Sequence, residues 1–255
     1  MSERRQRRID VYITPSQVEE LFLSGKNVVI VDVLRASTTV TAALSNGAKE
    51  IIPVATIENA VKVSGSLFGD VTLRGGERNG KIIEGFNLGN SPSEYTGEIV
   101  RGKSIIYTTT NGSVAMARAR YARNAVVGGF VNVARVIAFL KELKEDFIIL
   151  CAGHQNDFSL EDVVCAGMIL SRLQKGRGTF VLDDAGKAAL TLIQKFGKNI
   201  LAMLQESEHG KFLAESGFAA DLKLCAAVDS LPVLPVMSGN VVKLIKDVTT
   251  QGAAA

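Results

Sequence analysis

Hydrophobic and polar positions along this chain fall into two alternating periods. At 28–34 (VVIVDVL), β-branched apolar residues run almost unbroken, which predicts a strand buried on both faces. The run breaks at Arg35, and a helix-compatible stretch continues through Leu44 to a stop at Asn46-Gly47. The same strand-then-helix unit recurs. Strands are predicted at 9–13, 50–54, 71–73, 104–107, 125–127 and 147–150, and helices at 14–24, 56–65, from about 113 to 121, 132–144 and 159–173. Pro53 predicts that the 50–54 strand lies at an edge or ends irregularly. Thr14-Pro15-Ser16-Gln17 and Ser91-Pro92-Ser93-Glu94 read as helix-start boxes.

Strands alternating with helices imply right-handed crossovers, and hence an α/β fold: a mostly parallel sheet covered by helices on both faces, three layers deep. Beyond about 179 the pattern becomes helix-rich, with a short strand at 179–182, helices at 184–196, 200–204 and 206–215, and a last strand at 233–237. No Pro- or Ser-rich linker interrupts it, so residues 1–255 are expected to form a single compact unit. The stretch 74–90 (RGGERNGKIIEGFNLGN) has five glycines in seventeen residues and no hydrophobic period, and is expected to be a long functional loop.

Composition narrows the function. The 255 residues carry 29 basic and 26 acidic side chains, no Trp and 6% aromatics, a poor supply for nucleic-acid binding. No apolar run reaches the eighteen residues of a membrane span. The start at 1–8, with Arg4, Arg5, Arg7 and Arg8, lacks the apolar core of a secretory leader and is expected to be solvated. Cys151, Cys165 and Cys225 form neither a metal pattern nor a disulfide framework, which points to buried thiols in the cytoplasm. Cys151 close to His154 is weak support for a nucleophile, and His154 and His209 are expected to be exposed or capping. A homodimer is the default oligomeric expectation.

Candidate chemistry gathers at four strand ends. Asp32, Arg35, Ser37, Thr38 and Thr39 share one turn at a helix start, where free N–H groups and the helix dipole favour an anion. The Gly-rich stretch supplies Glu77, Arg78, Asn79, Glu84, Asn87 and Asn90. A third turn, Thr108 to Ser113, adds hydroxyls, Asn111 and Gly112. The fourth, Cys151 to Asp162, ends with Glu161 and Asp162 in the first turn of a helix. Each group has an ordinary alternative as a cap or turn. If the sheet is parallel, most of these turns open onto one edge, where α/β proteins bind ligands. Hard oxygen ligands beside a guanidinium are equipment for Mg²⁺ next to a phosphate.

The segments Asp32-Val33-Leu34-Arg35-Ala36-Ser37-Thr38, Gly76-Glu77-Arg78-Asn79-Gly80, Gly85-Phe86, Gly89-Asn90-Ser91-Pro92, Thr109-Thr110-Asn111-Gly112, Cys151-Ala152-Gly153 and Ser159-Leu160-Glu161-Asp162 together resemble the 2-phosphosulfolactate phosphatase family. His209-Gly210, Asp221-Leu222 and Cys225-Ala226 fit its C-terminal part. Ser113 stands where the family pattern has Thr. The resemblance implies a Mg²⁺-dependent hydrolase that converts 2-phospho-3-sulfolactate to 3-sulfolactate and phosphate, a step toward coenzyme M. Roles expected from the convergence of the four turns are Asp32, Glu77 and Glu161, with Asp162 as substitute, for the metal. Arg35, Ser37, Thr38, Asn111 and the Asn111-Gly112 amides would hold phosphate. Arg78 and Asn90 would hold sulfonate or carboxylate, and Asp32 could instead act as a nucleophile. Two rivals remain open. A haloacid-dehalogenase-like phosphatase would want an Asp where Leu34 stands, and a phosphoanion-binding protein would bind without turnover.

Overall fold

The computed structural model describes residues 6–66, 72–175 and 180–244. Expectations for 1–5, for Val71 and for Thr179 lie outside the described residues. The first half contains β1 (Arg7–Tyr12), β2 (Asn27–Val31), α1 (Ala36–Ser45), β3 (Glu50–Pro53), α2 (Ile57–Ser66), β4 (Thr72–Arg78), β5 (Lys81–Ile82), α3 (Gly97–Val100), β6 (Ser104–Thr108) and α4 (Gly112–Arg118). The second half contains β7 (Asn124–Gly128), α5 (Val133–Leu143), β8 (Phe147–Cys151), α6 (Leu160–Gln174), β9 (Phe180–Leu182), α7 (Asp184–Phe196), α8 (Ile200–Glu206), α9 (Glu208–Leu213), α10 (Ala219–Ala226), β10 (Pro235–Ser238) and β11 (Val241–Leu244).

The strands join in one sheet, ordered β5-β4-β6-β3-β11-β10-β7-β2-β8-β1-β9. β2 pairs in parallel with β7 and β8, β1 with β8 and β9, and β6 with β3 and β4. Between these two parallel blocks sits the β10–β11 hairpin, antiparallel to β7 on one side and to β3 on the other. The sheet is therefore mostly parallel, as the alternation predicts, with helices on both faces.

β2 shows why its sequence is apolar throughout. Val29 and Val31 face a core built with α5, α6 and the C-terminal helices, while Val28 and Ile30 face a second core built with α1 and α4. All five residues of β2 are buried, as a strand covered on both faces requires. α1 and α4 touch each other and between them contact β2, β3, β6, β7 and β10, so the sheet curls around this helix pair. That curl brings the ends of β2 and β6 together although four strands separate them in the sheet.

Three expectations change. The 14–24 helix is two short 3₁₀ turns, Pro15–Gln17 and Glu20–Leu23. The capping box of Thr14 and Gln17 does form, but Val18 is extended, because burying both Val18 and Leu23 does not fit one helical face. The 74–90 loop begins as strand β4, which runs through Gly75 and Gly76. A Cβ at Gly75 would lie 2.3 Å from the Tyr95 hydroxyl, and one at Gly76 1.9 Å from the Thr108 carbonyl oxygen. These glycines mark close approach within a packed sheet. β3 is interior, between β6 and β11, and tolerates Pro53 because it is the strand's last residue.

Candidate active site

The turn after β2 is closed by its own residues. The Ser37 N–H donates to the Asp32 carbonyl at 2.8 Å, and Ser37 Oγ accepts the Asp32 N–H at 2.9 Å. The Asp32 carboxylate stays at the mouth of α1, where Oδ1 accepts the Ala36 N–H at 3.0 Å. The turn after β6 is built alike: Ser113 Oγ accepts from the Thr109 N–H and Thr109 Oγ1 from the Ser113 N–H, at 2.9 and 3.0 Å. The two turns meet at Gly112, where a Cβ would lie 2.5 Å from Asp32 Oδ2 and 2.3 Å from the Ala36 methyl. Only glycine lets them approach this closely.

Around this junction lies a cavity of about 200 Å³, lined by Asp32, Leu34, Arg35, Glu77, Asn90, Thr109, Thr110, Asn111, His154, Gln155, His209 and Phe212, among others. Glu77 arrives from the end of β4; its two oxygens accept N–H groups of Thr110 and Gly80, each at 2.8 Å. Asn90 is fixed through its side-chain oxygen by the Tyr107 hydroxyl and through its carbonyl by Thr39 Oγ1. Beyond β8, Gln155 and Asn156 both take positive φ in a tight turn closed by reciprocal bonds of His154 and Asp157. The turn is tied across the cavity by the Gln155 N–H, which donates to Asn111 Oδ1 at 3.0 Å.

The C-terminal helices complete the wall. Arg35, 2% exposed, donates through Nη1 to Asp221 Oδ2 of α10 at 2.8 Å and through Nη2 to the Gly80 carbonyl at 3.1 Å. Its guanidinium carbon stands 4.2 Å from the centre of the Phe218 ring. Ser91 Oγ donates to the other Asp221 oxygen at 2.7 Å. α9 brings His209, whose ring centre lies 4.4 Å from that of His154 and whose Nδ1 is 3.5 Å from Glu161 Oε1.

Burial raises two of the candidate carboxyls, Asp32 and Asp162, the latter well above its ordinary value. At Asp32 burial pushes the carboxyl up to about 6; Glu77 and Glu161 add to the rise, and His209 and the Ala36 N–H oppose it. Burial would also raise Glu161, but the hydrogen bond and charge of His209 outweigh it and leave Glu161 below its usual value. His154 is held below the ordinary histidine range by burial and by His209.

Among the described residues, the buried side-chain polar atoms with no hydrogen-bond partner are Arg35 Nε, Thr110 Oγ1, His154 Nδ1, Glu20 Oε1 and Arg120 Nε. The last two form an ion pair with each other. The other three all belong to residues lining the cavity. Native proteins rarely leave such atoms unmet, so these are atoms a ligand would satisfy.

The structure brings Asp32, Arg35, Glu77, Asn90 and Asn111 into one lining. Ser37 and Thr38 are spent on the turn, Thr38 Oγ1 donating to the Val33 carbonyl at 3.1 Å, and Gly112 supports the wall as the point of contact between turns. The Arg78 guanidinium is turned away onto the Glu77 carbonyl and Thr108 Oγ1, at 2.7 and 3.0 Å. Both Asp162 oxygens accept backbone N–H groups, of Val33 at 2.8 Å and Gly153 at 3.1 Å, and hold the β2 and β8 turns together. Glu161 lies behind the cavity, engaged by His209. Among the described residues, no three His, Cys, Asp or Glu side chains converge to hold a metal ion by themselves. The four-carboxylate set thus reduces to Asp32 and Glu77 at the cavity.

Sequence reasoning underrated both histidines, which are cavity residues, and assigned no role to Asp221 or Gln155. The available signal was that the only two histidines of the chain both fall in segments matching the family pattern or next to them. Leu34, buried in the cavity wall, offers no second carboxylate of the haloacid-dehalogenase kind.

Carboxylates, hydroxyls, amides and the Arg35 guanidinium thus gather around one cavity at the sheet edge where α/β proteins bind small ligands. Residues 12–240 match the family model described as 2-phosphosulpholactate phosphatase. A protein of Caldanaerobacter subterraneus subsp. tengcongensis named probable 2-phosphosulfolactate phosphatase is 38% identical over 239 residues, covering 94% of this chain and 99% of that one. Proteins of the same name from Clostridium acetobutylicum and Symbiobacterium thermophilum are 35% and 38% identical, covering 89% and 88% of this chain and 96% of each relative. The chain belongs to the 2-phosphosulpholactate phosphatase family, and so to the phosphoric-monoester hydrolases.

Proposed function

We propose that this protein hydrolyses 2-phospho-3-sulfolactate to 3-sulfolactate and phosphate, with Mg²⁺ as cofactor, on the route to coenzyme M. The observation that carries this reading is the set of unpartnered polar atoms around one cavity that also holds Asp32 and Glu77. The substrate bears phosphate, carboxylate and sulfonate, and such a dense anion needs both cations and N–H or O–H donors. Arg35 supplies a guanidinium that Asp221 and Phe218 hold in place. Thr110 and Asn111 offer further donors at the turn after β6.

Asp32 and Glu77 would hold Mg²⁺, an ion that suits one or two carboxylates with waters and substrate phosphate completing its shell. The donor set fits, since Asp32 Oδ2, unlike Oδ1, accepts no hydrogen bond among the described residues and both groups are hard oxygens. When bound, the ion would neutralise phosphoryl charge and activate water. The chain itself would position the anion on Arg35, with α9 and the Gln155 turn forming the facing wall of the cavity. Binding at Asp32 also relieves the unfavourable gathering of its carboxylate with Glu77 and Glu161.

Among the described residues no helix is long and apolar enough to cross a membrane, and all three cysteines are free and buried, which supports a cytoplasmic setting. Release of inorganic phosphate from a panel of 2-phospho acids, with and without the sulfonate, tests the reading. Fast release that depends on the sulfonate is expected. Tight binding of these acids without release would instead make the protein a phosphoanion sensor.

A further inference from the structure

A phosphate ester of a secondary alcohol leaves as a basic alkoxide, so its departure is aided by a proton donor. The cavity offers few. Arg35 does not give up its proton. Asp32 is assigned above to the metal. Both Glu77 oxygens accept backbone N–H groups, and this carboxylate too is assigned above to the metal. The two histidines remain, and the structure treats them differently. His209 Nδ1 faces Glu161 Oε1 at 3.5 Å, whereas His154 Nδ1 is buried with no partner. A carboxylate on Nδ1 fixes the tautomer and orientation of an imidazole and leaves Nε2 for the ligand side.

Resting on the phosphatase reading, we infer that His209, aligned by Glu161, is the general acid that protonates the departing alkoxide oxygen, and that Glu161 is its positioning residue. The water oxygen forms a bond to phosphorus as the bond from phosphorus to the C2 oxygen breaks. The electron pair stays on that oxygen, which takes the Nε2 proton of the His209 imidazolium, while the Nδ1–H stays directed at Glu161. The proton of the attacking water passes to the phosphate product, and the imidazole regains its own from solvent. His209 is set for this by three elements: α9 places its ring at the cavity, the turn after β8 sets the His154 ring against it at a tilt of 38°, and Glu161 in the first turn of α6 supports it from behind. The charged or titratable groups around it are Glu161, His154, Asp32 and its neighbour Glu208.

Leaving-group basicity provides the test, because an acid catalyst matters only when the leaving oxygen is basic. The substrates are 2-phospho-3-sulfolactate and its 3,3-difluoro derivative, whose alkoxide is much less basic. His209→Asn is expected to lower kcat on the parent by about 10²–10⁴-fold and on the difluoro substrate far less. Glu161→Gln should show the same selective loss with a smaller factor. Equal losses on both substrates, in either variant, would overturn the inference and leave His209 a structural residue, as would full turnover of the parent by His209→Asn. No phosphate release by the wild type from either substrate would instead reject the phosphatase reading. If His209→Asn does not fold, Glu161→Gln carries the test alone.

Discussion

Arg35 and Asp221, 186 residues apart in the chain, form a buried ion pair at 2.8 Å that fastens the C-terminal helices to the turn after β2. The pair is closed on the Asp221 side by Ser91 and on the Arg35 side by the Gly80 carbonyl and the Phe218 ring. Removing one member strands a charge in the interior. Asp221→Ala should destabilise the fold by about 3–5 kcal/mol and lower kcat/KM, because Arg35 loses its anchor. Urea denaturation and steady-state kinetics measure both. Unchanged stability would mean that the guanidinium reaches solvent in solution.

Gly112 is the contact between the turns after β2 and β6. Gly112→Ala forces a methyl group against Ala36 and Asp32 and should cost about 1–3 kcal/mol through overpacking. Activity should fall further than stability alone explains, since the displaced group is the Asp32 carboxylate. Gly65→Ala is the control: among the described residues no atom beyond its own helix backbone and chain neighbours lies within 4 Å of its Cβ, and the change removes a glycine from α2. It should be neutral or stabilising by up to about 1 kcal/mol. Thermal melts of the two variants report the difference.

Asp32 is raised in the folded protein from 3.8 to about 6, first by burial. Below pH 4 it is protonated in both states and has no effect. Between about 4 and 6 the folded state holds the proton that the unfolded state has released, so stability falls as pH rises through that window. In EDTA the loss should total on the order of 3 kcal/mol, and Asp32→Asn should abolish that part of the pH dependence. The variant should therefore be more stable than wild type at pH 7 while losing activity. Denaturation across pH 4–7 provides the check, and parallel curves for the two proteins would contradict it.

Much of this was legible in the sequence, for local reasons. The apolar run from 28 reads as a strand covered on both faces, which the structure ends at Val31, and the rule that α/β ligands gather beyond strand ends led to Asp32, Arg35, Glu77 and Asn111. What was not legible depends on tertiary packing. The β10–β11 hairpin is two four-residue strands whose importance comes from where they insert, between β7 and β3. Gly75 and Gly76 look like loop residues until Tyr95 and Thr108 are seen against them. Asp162 and Arg78 carry suitable charges in suitable segments, but backbone groups claim them. His209 becomes a site residue only when α9 docks, and no spacing in the chain announces that.

The Asp32 and Glu77 pair makes a further, separable demand. Because Glu77 also ties Thr110 to Gly80, Glu77→Gln should lose both Mg²⁺ affinity and stability, the latter by about 1–3 kcal/mol for a backbone donor left facing an amide. Asp32→Asn should lose Mg²⁺ affinity without losing stability. Calorimetric Mg²⁺ titration beside thermal melts distinguishes the two variants, and identical behaviour would argue against the different bonding of these carboxylates.

The most direct measurement is phosphate release from 2-phospho-3-sulfolactate by the wild type and by Asp32→Ala, each in Mg²⁺ and in excess EDTA. Turnover is predicted for the wild type in Mg²⁺ only, with Asp32→Ala lower by at least about a hundredfold. Full turnover by Asp32→Ala, or wild-type turnover undiminished in EDTA, would contradict a mechanism centred on this carboxylate and its metal.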